Sequence, residues 1–342
     1  MASKMEMAKL NLLEEETENS QRVAVLNEPY DLSVHYAEIP EPQDDEIRVK
    51  IKYVGICGSD LEAYRGTRDP EFVSTPARLG HEVAGVIDKV GSSVQGLKEG
   101  DRVTCRYVWG AYAEYIVCKP FNVKKLPPDF PMKEISLLEI LPGVIHTAEL
   151  SKIDSTTDVL VMGQGVSGLV ITQVLNLYSP NNLVVTDLYD KNLKLAQKYG
   201  ATQTYKIPDP DTATMDVVGE DFPDGFDVVI PCLLEGDGMV DAIDCCNLGA
   251  RLVMYGCIGV CNEPIDFFRV HRKRLEIYST EPRRDIDMRR FFNEGIEMAK
   301  DGLVNTTEFV THVLGLSKID KAFEIRNKGD KDTIHVLIDC EE

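Results

Sequence analysis

The feature that most restricts the fold is a change of hydrophobic pattern at Asp158. Ahead of it, residues Glu46 to Tyr53 alternate, with Ile47, Val49, Ile51 and Tyr53 facing one way and Arg48, Lys50 and Lys52 the other. A period of two marks a strand buried on one face. Short segments punctuated by Gly80, Gly85, Gly91, Gly96, Gly100 and Gly110 come after it, so residues 22–122 read as mostly β. From Asp158 the apolar runs are continuous: Val159–Met162, Leu183–Thr186, Asp227–Ile230, Leu252–Tyr255 and Leu275–Tyr278, separated by helical stretches. Such runs suit strands covered on both faces, as in a doubly wound parallel sheet. Asp190 to Tyr199 reads as a helix stopped by Gly200, and Asp287 to Lys300 as another ending near Gly302. A last strand is expected over Thr333 to Asp339.

A chain of 342 residues exceeds the ~250–300 at which a single core stops growing. The return of a strand after the α/β block makes the first domain discontinuous. The expected division is a mostly-β domain at 22–145 and 282–342, an α/β domain at 146–281, and an N-terminal extension at 1–21. The extension reads either as a short amphipathic helix or as an unstructured lead-in.

Gly163-Gln164-Gly165-Val166-Ser167-Gly168 lies directly after a strand and opens a helix. In that context the first glycine permits the tight turn, the second lets backbone approach a pyrophosphate, and the third lets helix and strand pack closely. Val166 begins the helix whose N-terminus faces the phosphates. Asp187, about 20 residues on at the end of the next strand, suits the adenosine ribose hydroxyls and repels a 2′-phosphate. Leu188 and Tyr189 come next, with no arginine to invite NADP. NAD is the expected cofactor.

The net charge of −20, from 57 acidic and 37 basic residues, disfavours a nucleic-acid or anionic-membrane partner, since phosphate binding needs a basic face. No apolar run approaches the ~20 residues of a membrane span, and the N-terminus lacks the pattern of a secretory signal. The nine cysteines are scattered without a C-x-x-C pair, which fits a reducing, cytoplasmic setting.

Cys57 lies in Gly55-Ile56-Cys57-Gly58-Ser59-Asp60, just past the alternating strand, and His81 and Glu82 lie in Gly80-His81-Glu82-Val83-Ala84-Gly85. Catalytic zinc takes three protein ligands from Cys, His and carboxylate and keeps one position open. A lone cysteine is more often a small buried hydrophobe, and a lone histidine a satisfied core residue. Together with Gly100-Asp101-Arg102-Val103, Gly110-Ala111-Tyr112-Ala113-Glu114-Tyr115 and the later glycine motif, these motifs occur in one order. That order resembles the zinc-containing medium-chain dehydrogenase/reductase family over roughly residues 22 to 342. Glu139 with His146 after it resembles the sorbitol/polyol dehydrogenase branch, in which a glutamate replaces the cysteine that is the third ligand elsewhere.

The resemblance implies a mixed α/β chain with a GroES-like mostly-β catalytic domain and a Rossmann domain. Cys57 and His81 would then be direct zinc ligands. Glu82 and Glu139 would share the remaining protein position, one directly and one through water, and Asp60 would orient His81. A homodimer or homotetramer acting on a small polar alcohol or ketone is expected: a polyol, cyclitol, aldose or aminocyclitol. Oxidising a secondary alcohol removes a proton and a hydride; zinc lowers the pKa of bound water from ~15.7 to ~7, and NAD takes the hydride. Ser59 is the expected proton relay, unless it is a turn hydroxyl bonding its own backbone.

Two departures from the family stand out. Val103 runs to Gly110 through only Thr104, Cys105, Arg106, Tyr107, Val108 and Trp109, so the four-cysteine lobe of many members is missing; one catalytic zinc per chain and no structural zinc are expected. Glu62 stands where a proton-relaying histidine often lies, and it could relay a proton, bind substrate, or be solvated. Cys245-Cys246, Cys257 and Cys261 read as core or loop thiols and His312 as structural. Arg272, Lys273 and Arg274 read as solvent-facing or cofactor-facing, and Trp109 as packing or a pocket wall. The competing readings are a metal-free quinone or enone reductase of the same superfamily, and a non-catalytic NAD-binding protein.

Overall fold

The structure, a computed structural model, describes residues 9–233, 238–256, 263–280 and 285–342. Cys257, Cys261, Pro282 and the first eight residues of the N-terminal extension lie outside the described residues. The chain forms two compact units: one runs to Glu139 and resumes over Thr306–Glu342, and the other is Ile140–Asn305.

In the first unit, the sheet runs Val310–Gly315, His335–Asp339, Ile47–Gly55, Glu82–Val90, Arg102–Cys105 and Val123–Lys125, with Tyr115–Cys118 also pairing on Ile47–Gly55. Only the Val310–Gly315 and His335–Asp339 pair is parallel. Ile47, Val49 and Ile51 are fully buried, as alternation requires, but the period breaks next. Tyr53 turns outward and Val54 inward, because the register against Glu82–Val90 slips between Ile51 and Tyr53. An extra residue in one strand bends it and re-aims the chain beyond the bulge. The segment re-aimed here is the Gly55–Cys57 turn.

A second, three-stranded sheet pairs Leu12–Leu13 and Ser20–Glu28 with Asp31–Glu38. Within the described part of the extension Leu12–Leu13 and the start of Ser20–Glu28 are strand, joined by turn and irregular segments, and none of it is helix. Gln21 is 1% exposed, donates to the Glu38 carbonyl and accepts from the Tyr115 amide.

The second unit holds a six-stranded parallel sheet in the spatial order Gln203–Lys206, Asn182–Asp187, Asp158–Met162, Phe226–Pro231, Cys246–Met254 and Glu276–Ser279. In chain order that is 3-2-1-4-5-6, the dinucleotide-binding arrangement with its crevice where the order reverses, beside the first strand. Each apolar run from Asp158 onward falls on one of these strands. The late junction is displaced from the sequence expectation: helix Asp285–Lys300 belongs to the second unit, and the crossing lies at 305/306 rather than 281/282. Its Phe291, Phe292 and Ile296 are buried, and Gly295 comes so close to Leu141 that a Cβ would lie 2.6 Å from the Leu141 side chain. Helix Leu141–Ser151, which it packs against, likewise moves the early junction to 139/140.

Candidate functional site

Cys57 lies two residues past the end of the re-aimed strand and stands at the N-terminus of helix Gly58–Arg65. His81 and Glu82 enter from the opposite direction, at the start of strand Glu82–Val90, where Glu82 is registered against Gly55. The Cys57 sulfur, one His81 ring nitrogen and one Glu82 oxygen lie within 4.8 Å of one another. His81 and Glu82 are buried at 7% and 3% exposure, while Cys57 is partly open.

Asp60 ties the two segments together. Its carboxylate accepts from the amides of Cys57 at 3.2 Å and Gly80 at 3.1 Å and from the Tyr112 hydroxyl at 2.9 Å, and it lies 3.6 Å from His81 Nδ1. Burial pushes Asp60 up, but His81, Tyr112 and the Gly80 amide outweigh it and hold the acid below its usual range. Burial pushes the His81 ring down, yet Asp60 and the Cys57 thiol hold it well above its ordinary value. Trp109 packs on His81 with centroids 4.5 Å apart and walls one side of the cluster.

The arrangement gathers two buried carboxylates, a thiol and an imidazole. Anionic groups are costly to bury unless paired or bound to a metal. His81 Nδ1 is buried with no hydrogen bond, its nearest acid, Asp60, lying 3.6 Å away. A cysteine, a histidine and a carboxylate converging on one point are a donor set for zinc, three protein ligands with a position left open. The residues fit the ion.

Glu139 is not brought into that cluster. Its carboxylate pairs with Arg106 at 2.8 Å, and its carbonyl accepts from the same guanidinium at 2.9 Å. Glu62 is not solvated: it is 4% exposed and paired with Arg68 at 2.8 Å. Ser59 is half-buried and makes no hydrogen bond to its own backbone. One neighbour escaped sequence reasoning. His335 Nε2 lies 3.0 Å from Glu82 Oε2, both side chains buried, and burial pushing Glu82 up is outweighed by this imidazole. No motif surrounds His335, which reads only as one position of the final strand.

The glycine motif joins strand Asp158–Met162 to helix Val166–Asn176, the local structure its spacing predicts. Gly163 comes after strand Asp158–Met162 at φ +86°, a conformation that favours glycine. A Cβ at Gly165 would meet nothing within 4 Å, so backbone is bare toward open space at the start of helix Val166–Asn176. Asp187 accepts from the amides of Gln164 at 2.7 Å and Tyr189 at 2.8 Å and from Asn192 at 3.2 Å. Burial pushes it up. Lys206, registered opposite Asp187, is drawn to Asp190 at 2.6 Å.

Lys273 is half-buried and donates to the carbonyls of Ile243, Asp244 and Cys246 at the end of helix Gly238–Cys245; Arg272 and Arg274 are exposed. Cys245 and Cys246 are core thiols. His312 contacts its neighbour Thr311 at 3.0 Å, and His146, in the second unit, bonds the Thr280 carbonyl at 2.7 Å.

Residues 43–128 match the alcohol dehydrogenase GroES-like domain, and residues 167–293 match the zinc-binding dehydrogenase domain. Sorbitol dehydrogenase of Bacillus subtilis is 27% identical, over 93% of this chain and 96% of that one. L-threonine 3-dehydrogenase of Deinococcus deserti is 28% identical, over 89% and 94%. An Escherichia coli CFT073 alcohol dehydrogenase complexed with NADH superposes with a TM-score of 0.80 at 25% identity, covering 94% of this chain and 99% of that one. Two domain matches in the expected order, relatives aligned end to end, and a thiol–imidazole–carboxylate cluster lead to one assignment: the chain belongs to the zinc-containing medium-chain dehydrogenase/reductase family and is an alcohol dehydrogenase-type oxidoreductase.

Proposed function

We propose that the protein oxidises a secondary alcohol of a polar, polyhydroxylated substrate, or reduces the corresponding ketone, using NAD and one zinc ion per chain. The carrying observation is the convergence of Cys57, His81 and Glu82 within 4.8 Å. These three residues would hold the metal, with Asp60 fixing the His81 ring and His335 braced against Glu82. Bound zinc supplies Lewis acidity, which makes a hydroxyl acidic enough to lose its proton near neutrality.

The chain's own groups do the rest. Ser59, partly open beside Cys57, is placed to take that proton outward, since a hydroxyl donates and accepts at once. Trp109 covers the His81 ring and keeps water from that side. Glu62, held by Arg68, can accept from a substrate hydroxyl while its charge stays compensated. The glycine turn and Asp187 bind the cofactor that accepts the hydride. Neither a metal-free reductase nor a non-catalytic binder needs this donor set.

Elemental analysis of the protein with NADH appearance over a panel of cyclic and linear polyols tests the reading. The expected result is roughly one zinc per chain and turnover with NAD. Absence of zinc would favour the metal-free reductase, and zinc without turnover on any alcohol would favour the binder.

Cofactor choice has its own test. Asp187→Ala removes a charged acceptor, and hydrogen bonds to charged groups are worth ~1.5–3 kcal/mol. The ratio of kcat/KM for NAD over NADP should fall by about 10–100-fold. A ratio that stays constant would take Asp187 out of cofactor selection, whatever happens to overall affinity.

A further inference from the structure

Gly110-Ala111-Tyr112 runs alongside Leu79 and Gly80, the residues that lead into His81. Ala111 donates its amide to the Gly80 carbonyl at 3.1 Å, and Tyr112 donates its own to the Leu79 carbonyl at 3.2 Å. The Tyr112 ring lies so close to Gly80 that a Cβ there would stand 2.9 Å from it. The ring also meets Phe323 edge to face, with centroids 5.5 Å apart, and Tyr112 is 0% exposed. A phenol buried this deeply needs a partner for its hydroxyl. The partner is the Asp60 carboxylate at 2.9 Å, with the Gly55 carbonyl 3.1 Å from the same phenol oxygen.

The two oxygens of Asp60 have different surroundings. Oδ2 accepts from the Cys57 amide at 3.2 Å and from the Tyr112 hydroxyl at 2.9 Å. Oδ1 accepts from the Gly80 amide at 3.1 Å and faces His81 Nδ1 across 3.6 Å. The phenol makes the shortest of the three hydrogen bonds, and a bond to a charged acceptor is stronger than one between neutral groups. Burial and the Asp60 charge push the phenol well above its ordinary value, so it stays a donor. Asp60 is 1% exposed, and bulk water does not supply that donor in its place. Holding Oδ2 fixes the rotation of the carboxylate, and that rotation decides whether Oδ1 points at the imidazole. A metal-binding histidine takes its tautomer and ring orientation from the acceptor at its other nitrogen.

We propose that Tyr112 is a positioning residue of the metal centre: its hydroxyl sets the Asp60 carboxylate, and through it the His81 ring. This rests on the reading of Cys57, His81 and Glu82 as zinc ligands and deepens it. The alternative is a tyrosine kept for packing against Gly80 and Phe323, which a phenylalanine would serve equally well.

The test uses the full-length, zinc-loaded protein as wild type, Y112F, D60N, the double variant and Y64F. Y112F keeps the ring and its packing. Y64F is the control, because it takes a hydroxyl from the other tyrosine on Phe323, with centroids 5.1 Å apart. Zinc affinity is read by competition with a chromophoric chelator, without substrate or NAD. Y112F should bind zinc about 10-fold more weakly, the lower end of what losing a residue behind a ligand costs, and Y64F should match wild type. In the D60N background the same change should cost less than about twofold, since groups acting through one another are not additive. Cobalt(II) in place of zinc gives a second readout through absorption bands that follow ligand geometry. Those bands should shift in Y112F and hold in Y64F. Equal zinc affinity in wild type and Y112F, equal losses in Y112F and Y64F, or a full loss persisting in the D60N background would each overturn the proposal. A wild-type protein that binds no zinc would fail the dehydrogenase reading and this proposal with it. Zinc without alcohol turnover would fail the dehydrogenase reading alone, because the affinity comparison needs no substrate.

Discussion

Cys57→Ala is expected to abolish alcohol oxidation while leaving NADH binding near that of the wild-type protein. Losing a partner that merely supports a ligand costs ~10–100-fold in metal affinity or activity; losing the ligand itself should cost at least ~10³-fold in kcat/KM. The structure separates the two effects. Cys57 belongs to the first unit, whereas the glycine turn and Asp187 belong to the second. Removing the thiol takes away one of the three donors proposed to hold the metal, so zinc content should drop with activity. The fold should survive, because Cys57 is partly open and the amide it donates to Asp60 is unchanged by the substitution. Zinc per chain, NADH titration and initial rates on one preparation decide it. Retained turnover with the metal lost would remove Cys57 from the chemistry.

Some of this is legible in the sequence for definite reasons. Continuous apolar runs mark five of the six strands of the second unit because a parallel sheet is largely covered on both faces, whereas the edge strand Gln203–Lys206 carries no such run. The thiol–imidazole–carboxylate cluster is legible because a cysteine and a histidine, two of the less common residue types in this chain, lie beside glycines near strand ends. The hidden features depend on partners distant in the chain. Alternation alone turns Tyr53 inward with Ile51, and a slip against the neighbouring strand reverses it; the pattern of one strand carries no information about the other's register. Glu139 and Glu62 look available in the sequence, whereas Arg106 and Arg68 hold them in the fold. Lys273 reads as a surface cation because the three carbonyls it collects lie at the end of a helix almost thirty residues earlier. His335 has no local pattern at all and becomes significant only through the Glu82 carboxylate that the fold sets against it.

The same logic gives the second large effect, in the nucleotide site. Gly168→Ala should weaken NADH binding by about 10–100-fold, with little change in zinc content. A Cβ at that position would lie 2.0 Å from the Gly163 carbonyl oxygen and 3.0 Å from its carbon. The obstacle is backbone, which cannot swing away as a side-chain tip would, so helix Val166–Asn176 must move off strand Asp158–Met162. Overpacking of this kind costs ~1–3 kcal/mol, and 1.4 kcal/mol corresponds to about tenfold in affinity. The displacement falls on the turn where Gln164 donates its amide to Asp187 at 2.7 Å, so it disturbs the pyrophosphate cradle and the ribose acceptor together. Gly165→Ala is the informative control, since its Cβ would meet no protein atom within 4 Å. That variant should keep its thermal stability and lose affinity only through contact with the cofactor. If Gly168→Ala bound NADH as tightly as wild type, helix and strand would have to separate without moving the turn, and the glycine motif would owe its place to packing alone.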